Sequence, residues 1–320
     1  MRVGVDVGGT KTDAVAVAPD GEIVARVRRA TGWGRDAVVS GITGIVGELA
    51  VAVGMPASGF ASLGLGIPGQ VDPLAGRVTH AVNLGLDRLD LTEAIGAAFG
   101  IPVHIENDVK AAALGAWSLH PRMPSAPAAD TIGYLNLGTG VAAGFVGGGR
   151  LWRGRRGTAG EIGHISVDPA GPACRCGQRG CIEALAGGGV IAERWGRGGA
   201  LPVRDVFDAA DAGDPAAAEL RAGLWRGVAS AVRVLVLAAD VDLVVLGGGL
   251  TALGDRLRAG VEAELAASAR ESPFLRSLQL TERIRMLAPG SPAAALGAAL
   301  LADAAEDGDR ADEEGALTHG

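Results

Sequence analysis

All three cysteines of this 320-residue chain lie in one short segment, GEIGHISVDPAGPACRCGQRGCIE, together with a histidine and two flanking glutamates. Three thiolates and an imidazole match the Cys₃His ligand set of a closed structural zinc site. The Cys-x-Cys spacing is tighter than the usual Cys-x₂-Cys, and a disulfide or a reactive thiol are the alternatives. Clustering argues against a single catalytic thiol. The predicted zinc ligands are His164, Cys174, Cys176 and Cys181.

Two glycine turns, each following a short apolar run, could bind an anion. Turns without bulky side chains let backbone N–H groups approach an anion closely, and a threonine hydroxyl adds a donor. One such turn would be an ordinary hairpin, but VDVG and LNLG align at a constant offset in two halves of the chain. The pair therefore predicts phosphate binding, by Gly9, Thr10 and Lys11 in the first turn and Gly138, Thr139 and Gly140 in the second. Neither turn fits a GxxxxGK[ST] or GxGxxG nucleotide motif.

Polar residues also stand where predicted strands end. Asp6 precedes the first turn and could hold a magnesium ion through water, or could simply be a polar strand end. Asn107 and Asp108 follow a predicted strand and open a helix, the place where ligands of open α/β sheets bind. The helix N-terminus favours an ionised Asp108, and helix capping is the alternative. Gly248 follows a buried strand and could admit an adenosine or start a helix.

Strands alternate with helices along most of the chain, which predicts an α/β protein in two lobes with its ligand between them. Each half begins strand, glycine turn, strand, glycine turn, strand. The predicted small lobe is 1–119, joined by a C-terminal helix at 291–304, and the large lobe is 120–290. A proline-containing linker is expected at 120–130, and an acidic disordered tail at 305–320.

Composition excludes several classes of protein. The net charge is −7 and the basic residues are scattered, so nucleic-acid binding is not expected. No apolar stretch typical of a signal peptide follows Met1. The most apolar region is interrupted by Arg233, Asp240 and Asp242, which favours a buried helix and strand over a membrane span. A cytoplasmic protein is predicted, where structural disulfides are uncommon.

The motifs DVGGTKT, GIPGQVD, ENDVKAAALG, LGTG, GEIGH and CRCGQRGCIE, in this order, resemble the ROK family of sugar kinases and sugar-responsive repressors. The resemblance extends from residue 3 to about residue 303. It implies a two-lobed actin-like ATPase (ribonuclease H-like) fold with duplicated βββαβα halves and ATP between the lobes. It also implies phosphorylation of a hexose by Mg-ATP, and a structural zinc ion.

The resemblance assigns roles to individual residues. Asp108 resembles the general base that takes the proton from the 6-hydroxyl of the sugar. The two glycine turns and Asp6 resemble the phosphate segments, and Gly248 resembles the adenosine segment. The implied sugar-binding residues are Gly69, Asn107, Asp108, Glu161, His164 and Glu183.

A glucokinase-like enzyme is the leading expectation, and a kinase of an amino sugar or a sugar-like cyclitol is the alternative. A sugar-responsive regulator is the alternative of another class. Such regulators carry a DNA-binding domain before the first phosphate motif, and DVGGT begins already at Asp6. Polyphosphate instead of ATP remains open as the donor, and a homodimer or higher oligomer is expected. The chain departs from the family pattern at Ala142 and Ala143, and at Ala116 and Trp117.

Overall fold

The structure, a computed structural model, describes residues 1–120 and 129–303. Within these residues the chain forms two compact units. The first unit takes its described residues from 1–120, 144–159 and 292–303, and the second takes them from 129–143 and 160–291. Residues 121–128 of the predicted linker and the whole predicted tail lie outside the described residues, and the predicted lobe boundaries stay a prediction.

Strands and helices alternate as the sequence predicts. The strands of the described chain are β1 (Arg2–Val7), β2 (Lys11–Val17), β3 (Ile23–Ala30), β4 (Ser62–Ile67), β5 (Gln70–Asp72), β6 (Arg77–Ala81), β7 (Leu86–Asp90), β8 (Val103–Asn107), β9 (Thr131–Leu137), β10 (Val141–Gly147), β11 (Arg150–Trp152), β12 (Leu243–Gly247) and β13 (Ile284–Met286). Its helices are α1 (Arg35–Ala52), α2 (Leu91–Phe99), α3 (Asp108–Leu119), α4 (Ile182–Ala186), α5 (Gly188–Trp195), α6 (Pro202–Asp211), α7 (Pro215–Ala239), α8 (Asp255–Arg270), α9 (Pro273–Ser277) and α10 (Ala293–Ala299).

Two five-stranded sheets have the same strand order. The first is β3-β2-β1-β4-β8 and the second is β11-β10-β9-β12-β13. In the first sheet β1 pairs antiparallel with β2 and parallel with β4, and in the second β12 pairs parallel with β9 and β13. Asp6 pairs with Gly66 of β4, and Asn136 pairs with Gly247 of β12, so the VDVG and LNLG motifs occupy equivalent places. The predicted α/β fold with duplicated halves is confirmed.

A third sheet, β5-β6-β7, is antiparallel and lies in the first unit. The sequence pattern predicts no strands between residues 70 and 90, and this sheet is a difference from that expectation. Its strands have three to five residues each, and β5 has no fully buried residue. Short, half-exposed strands give little hydrophobic alternation, which is the main signal for a strand in a sequence.

Helix α10 packs against β1, β4 and α3 at glycines in the first unit. A Cβ added at Gly4, Gly64 or Gly115 would overlap backbone atoms of α10. Gly297 of α10 likewise faces the Ala111 carbonyl group of α3. Because these positions lack side chains, the backbones approach closely, and any larger residue would force the helix away from the sheet.

Helix α7 has 25 residues and, among the described residues, is the one helix whose length and composition would allow it to cross a membrane. The share of its apolar window that is buried in the protein is 56%. Leu224, Val228 and Leu235 are completely enclosed. The core helix of a globular protein meets the same criteria, and α7 is such a helix.

Candidate active site

Asn107 connects the start of α3 to the loop after β4. Its side-chain oxygen Oδ1 accepts hydrogen bonds from the backbone N–H groups of Val109 (3.1 Å) and Lys110 (3.3 Å). Its Nδ2 donates to the carbonyl oxygen of Gly69 at 3.4 Å. The capping role that the sequence offered as an alternative is therefore performed by Asn107, and this cap also places the Pro68-Gly69 loop beside Asp108.

Asp108 is the first residue of α3 and is half-buried. One of its carboxylate oxygens accepts a hydrogen bond from the backbone N–H of Val109 at 3.0 Å. This hydrogen bond and the positive end of the helix dipole both stabilise a negative charge. The position suits a carboxylate that must be ionised before it can take up a proton.

Asp6 interacts electrostatically with Asp108 within the first unit. Burial raises the pKa of Asp6 to about 8, and the negative charges of Asp108 and Asp13 add to the increase, while Lys11 opposes it. A buried carboxyl group under the influence of two other carboxylates is destabilised as an anion unless a cation is close. Oxygen ligands of this kind are those that Mg²⁺ prefers, so the donor set fits the predicted ion.

Gly69 has a φ angle of 104°, which favours glycine. A Cβ added there would lie 2.8 Å from the carbonyl oxygen of Thr79 and 3.1 Å from Cα of Ala81. The loop after β4 therefore packs directly on β6, and the sheet missed in the sequence supports the predicted sugar loop.

Each glycine turn contains a backbone hydrogen bond donated by its first glycine, to the third residue after it in the first turn and to the second residue after it in the second turn. The N–H of Gly8 donates to the carbonyl oxygen of Lys11 at 3.1 Å, and that of Gly138 donates to Gly140 at 3.1 Å. Gly9, Thr10, Lys11 and Thr139 are exposed. Both turns thus present accessible backbone at equivalent ends of the two large sheets, and their phosphate-binding role stays a prediction.

In the second unit, Glu183 lies beside the second glycine turn. Its Oε2 accepts a hydrogen bond from the backbone N–H of Val141 at 3.0 Å, and a Cβ at Gly140 would overlap the same carboxylate. Glu161 and His164 are exposed and lie at the two ends of a single 3-10 turn. The three predicted sugar-binding residues of this unit therefore lie on a 3-10 turn and on the first turn of α4.

Gly248 follows β12 in a conformation with φ of 86°. A Cβ there would lie 2.5 Å from the Leu137 carbonyl oxygen and 2.7 Å from Oδ1 of Asn136. Bare backbone is therefore required at this position. The structure explains the glycine by close packing, and the predicted contact with adenosine stays a prediction.

The predicted metal ligands gather in the second unit. The ligand atoms of His164, Cys174 and Cys176 lie within 4.8 Å of one another. Cys181 is outside that mutual set, but its Sγ lies 3.7 Å from Sγ of Cys176. Nδ1 of His164 lies 3.9 Å from Sγ of Cys174. With Zn–S bonds of about 2.3 Å, ligands of a tetrahedral ion lie just under 4 Å apart, so the donor set fits zinc.

The thiols of this cluster differ in acidity. A hydrogen bond from the backbone of Gln178, followed by one from the side chain of Cys174, lowers the pKa of Cys176 to about 6. Burial is the largest cause that raises the pKa of Cys181 to about 12. Cys176 therefore ionises readily, whereas Cys181 does not. A bound cation would stabilise both thiolates, since metal ligation requires the thiolate form.

Two charged residues that flank Asp108 in sequence bind a loop that the sequence pattern does not connect to this site. Buried Glu106 accepts a hydrogen bond from Nε of Arg153 at 2.5 Å. Buried Lys110 donates from Nζ to the carbonyl oxygen of Gly157 at 2.8 Å. The partners are 47 residues apart in both cases, and no local pattern could reveal them. These two contacts fix the segment 153–157, which comes just before Gly160 in the sequence.

Sheets of identical order, with a glycine turn at the equivalent place in each half, define the actin-like ATPase fold. The chain belongs to the ROK family, whose model matches residues 2–305.

Relatives and a solved structure of this family match most of the chain. A glucokinase from Halalkalibacterium halodurans is 32% identical over 287 residues, which is 83% of this chain and 86% of the relative. An N-acetylmannosamine kinase from Escherichia coli is 32% identical over 266 residues, 82% of this chain and 87% of the relative. A ROK family glucokinase from Streptomyces griseus, in complex with glucose and AMPPNP, superposes with a TM-score of 0.73 at 28% identity, covering 94% of this chain and 98% of that one.

Proposed function

We propose that this chain is an ATP-dependent kinase that phosphorylates the 6-hydroxyl group of a hexose, with glucose as the leading substrate. The observation that carries the proposal is the Asn107 cap, which holds the Gly69 loop and the N-terminus of α3 together beside Asp108. The glucokinase relatives, one of them crystallised with glucose and AMPPNP, support the choice of substrates.

Asp108 is the proposed general base. The 6-oxygen of the sugar forms a bond to the γ-phosphorus while the bond from that phosphorus to the β–γ bridging oxygen breaks, and ADP leaves. The hydroxyl proton passes to the carboxylate of Asp108. A carboxylate is a weak base, but phosphoryl transfer passes through a loose transition state, so the proton can be released late.

Asp6 and the two glycine turns are the proposed phosphate side of the site. Asp6 would hold Mg²⁺ through water, and Thr10 and Thr139 would add hydroxyl donors to the backbone N–H groups of the turns. Magnesium, when bound, neutralises the charge on the phosphates. The raised pKa of Asp6 supports this assignment, because a nearby cation would favour its ionised form.

The proposed sugar partners supply donors and acceptors in fixed geometry. Asn107 uses one N–H of its amide for Gly69, which leaves the second N–H for a sugar hydroxyl. Glu183 is oriented by its hydrogen bond to Val141, and Glu161 is exposed for a similar role. Polyols are recognised by convergent groups of this kind.

Zinc is the proposed structural ion of the Cys₃His cluster, with Cys181 as the fourth ligand. Nδ1 of His164 faces Cys174, so Nε2 is the ring nitrogen left to contact the sugar. Ligation at one ring nitrogen fixes the tautomer and leaves an N–H at the other. We also place the enzyme in the cytoplasm, and expect a homodimer or a higher oligomer.

A second candidate substrate is N-acetylmannosamine. The relative that carries this name matches the chain at 32% identity, the same value as the glucokinase from H. halodurans. The sugar-contacting side chains that we assign do not separate the two sugars, because carboxylates, an amide and an imidazole can bind hydroxyl groups of either.

The test is an assay across glucose, N-acetylmannosamine, N-acetylglucosamine and cyclitols, which follows ADP release with ATP as donor and formation of the phosphorylated sugar with polyphosphate as donor. We expect Asp108→Asn to lower the turnover number by about 10²–10⁴-fold, because the base is lost, and to leave glucose binding measurable by calorimetry. Asp36→Asn is the matched control, since Asp36 is also an aspartate in the first turn of a helix and is exposed. Near-normal turnover of Asp108→Asn would contradict the assignment.

A further inference from the structure

The loop between β6 and β7, residues 82–85, touches the first glycine turn. A Cβ added at Gly9 would lie 3.1 Å from Cβ of Asn83 and 3.4 Å from its carbonyl oxygen. Asn83 is exposed, and no residue of 1–120 or 129–303 forms a hydrogen bond with its side chain. A side-chain amide with two N–H donors therefore stands beside a turn proposed to bind phosphate.

The backbone of this loop is held at the two residues that follow Asn83. The N–H of Gly34 donates to the carbonyl oxygen of Leu84 at 2.8 Å. Gly85 has a φ of 67°, and a Cβ added there would lie 2.6 Å from the ring of Trp33. These neighbouring residues fix the backbone position of Asn83. The side-chain amide of Asn83 takes no part in these contacts.

The same loop begins at the proposed sugar side. Ala81 packs on Gly69, at 3.1 Å from the place of its missing Cβ, and Gly69 accepts the hydrogen bond from Asn107. Asn83 is two residues further along the chain. It lies between the loop proposed to bind the sugar and the turn proposed to bind the phosphates, where the two substrates must meet.

We propose that the side-chain amide of Asn83 donates a hydrogen bond to the phosphoryl group during its transfer. The inference rests on the proposed function and adds a residue to it. A neutral donor at this place stabilises the charge on the equatorial phosphoryl oxygens without competing for the metal. The amide would leave the ground-state affinity for the sugar unchanged, since it faces the phosphate turn.

Two substitutions separate this role from a structural one. Asn83→Ala removes the donor, and we expect kcat to fall about 10- to 100-fold, the loss typical of a hydrogen bond to a charged group, with the sugar KM within about 2-fold of the wild type. Asn83→Asp has the same shape but places a negative charge against the phosphate. We expect it to be slower than Asn83→Ala, and to bind AMPPNP with Mg²⁺ more weakly in calorimetry.

Asp87→Asn is the matched control, because Asp87 is an exposed residue of β7 in the same small sheet. It should keep the wild-type kcat and AMPPNP affinity. If Asn83 only packs on Gly9, the isosteric Asn83→Asp would match the wild type in both measurements, and the proposal would be wrong. If the wild-type chain phosphorylates no sugar, the proposed function fails, and the AMPPNP affinities of the two variants still decide whether Asn83 faces the phosphate.

Discussion

Asp6 shows at the scale of one residue how a carboxyl group proposed to hold a cation costs stability. Its carboxyl group lies partly buried on β1, and this burial, together with the negative charges of Asp108 and Asp13, raises its pKa to about 8. In the unfolded chain the pKa returns to its ordinary value of 3.8. The folded state therefore binds an extra proton between these two values, and stability falls as the pH rises through this window.

The pH dependence gives a test of that cost. In metal-free buffer, we expect Asp6→Asn to lose less free energy of unfolding than the wild type between pH 5 and pH 8, because the amide needs no proton. The difference in slope is at most about 1.4 kcal/mol per pH unit, the value for one proton. Urea denaturation at pH 5, 6.5 and 8 measures it.

Asp36→Asn serves as the control for the Asp6 experiment, since Asp36 is exposed at the start of α1. It should keep the pH slope of the wild type. Equal slopes for Asp6→Asn and the wild type would show that Asp6 is ionised in the folded protein, and would remove the argument that a buried carboxyl group awaits a cation.

At the scale of an element, the segment between Glu161 and α4 has little regular structure to fix it. Its described backbone contacts include a bridge between Ser166 and Cys181 and a hydrogen bond from Cys174 N–H to the carbonyl oxygen of Gln178 at 2.8 Å. A metal ion would cross-link this segment at four points and add to the small buried cluster of Cys174, Cys181 and Ala184.

If the cluster binds zinc, loss of the metal and loss of sugar affinity should occur together. We expect Cys176→Ser to lose bound zinc and to raise the sugar KM together, because His164 is both a metal ligand and a proposed sugar contact. Zinc is measured by atomic emission on the purified protein, and KM by the assay of ADP release. Arg175→Ala is the control in the same loop, since its ion pair with Glu193 is exposed. Loss of zinc with an unchanged KM for the sugar would contradict the proposed link between the metal and sugar binding.

Elements with strong local signals could be predicted from the sequence. Helix α2 ends at Gly100 in the left-handed conformation, as its glycine predicts, and the strand before Asn107 and the helix after it were also predicted. The small sheet β5-β6-β7 was not, because its strands are short and half-exposed. The Glu106–Arg153 pair was missed for another reason: its partners are distant in sequence, and only the fold brings them together.

At the scale of the whole molecule, one topology appears twice with different chemistry. Asp6 in the first half is replaced by Asn136 at the equivalent place in the second, so the acidic group proposed to attract a metal ion occurs in one half only. The duplicated frame explains why a glycine turn follows the first strand of each half, while only the first half places an acidic residue before its turn. The alignment of the two halves of the sequence predicts this duplicated strand order, because strands and glycine turns have local sequence patterns.

The substrate can be identified from the stability of the whole chain. A ligand that binds only the folded state stabilises it by about 2.7 kcal/mol at 100 times its Kd, and the midpoint of thermal unfolding rises accordingly. We expect glucose to raise the midpoint more than N-acetylmannosamine at equal concentration, and still to raise it measurably in Asp108→Asn, since the other assigned sugar contacts remain. Sorbitol is the control for non-specific stabilisation by excluded solutes. A larger shift with N-acetylmannosamine would reverse the order of the two candidates, and a shift no larger than that of sorbitol would contradict hexose binding altogether.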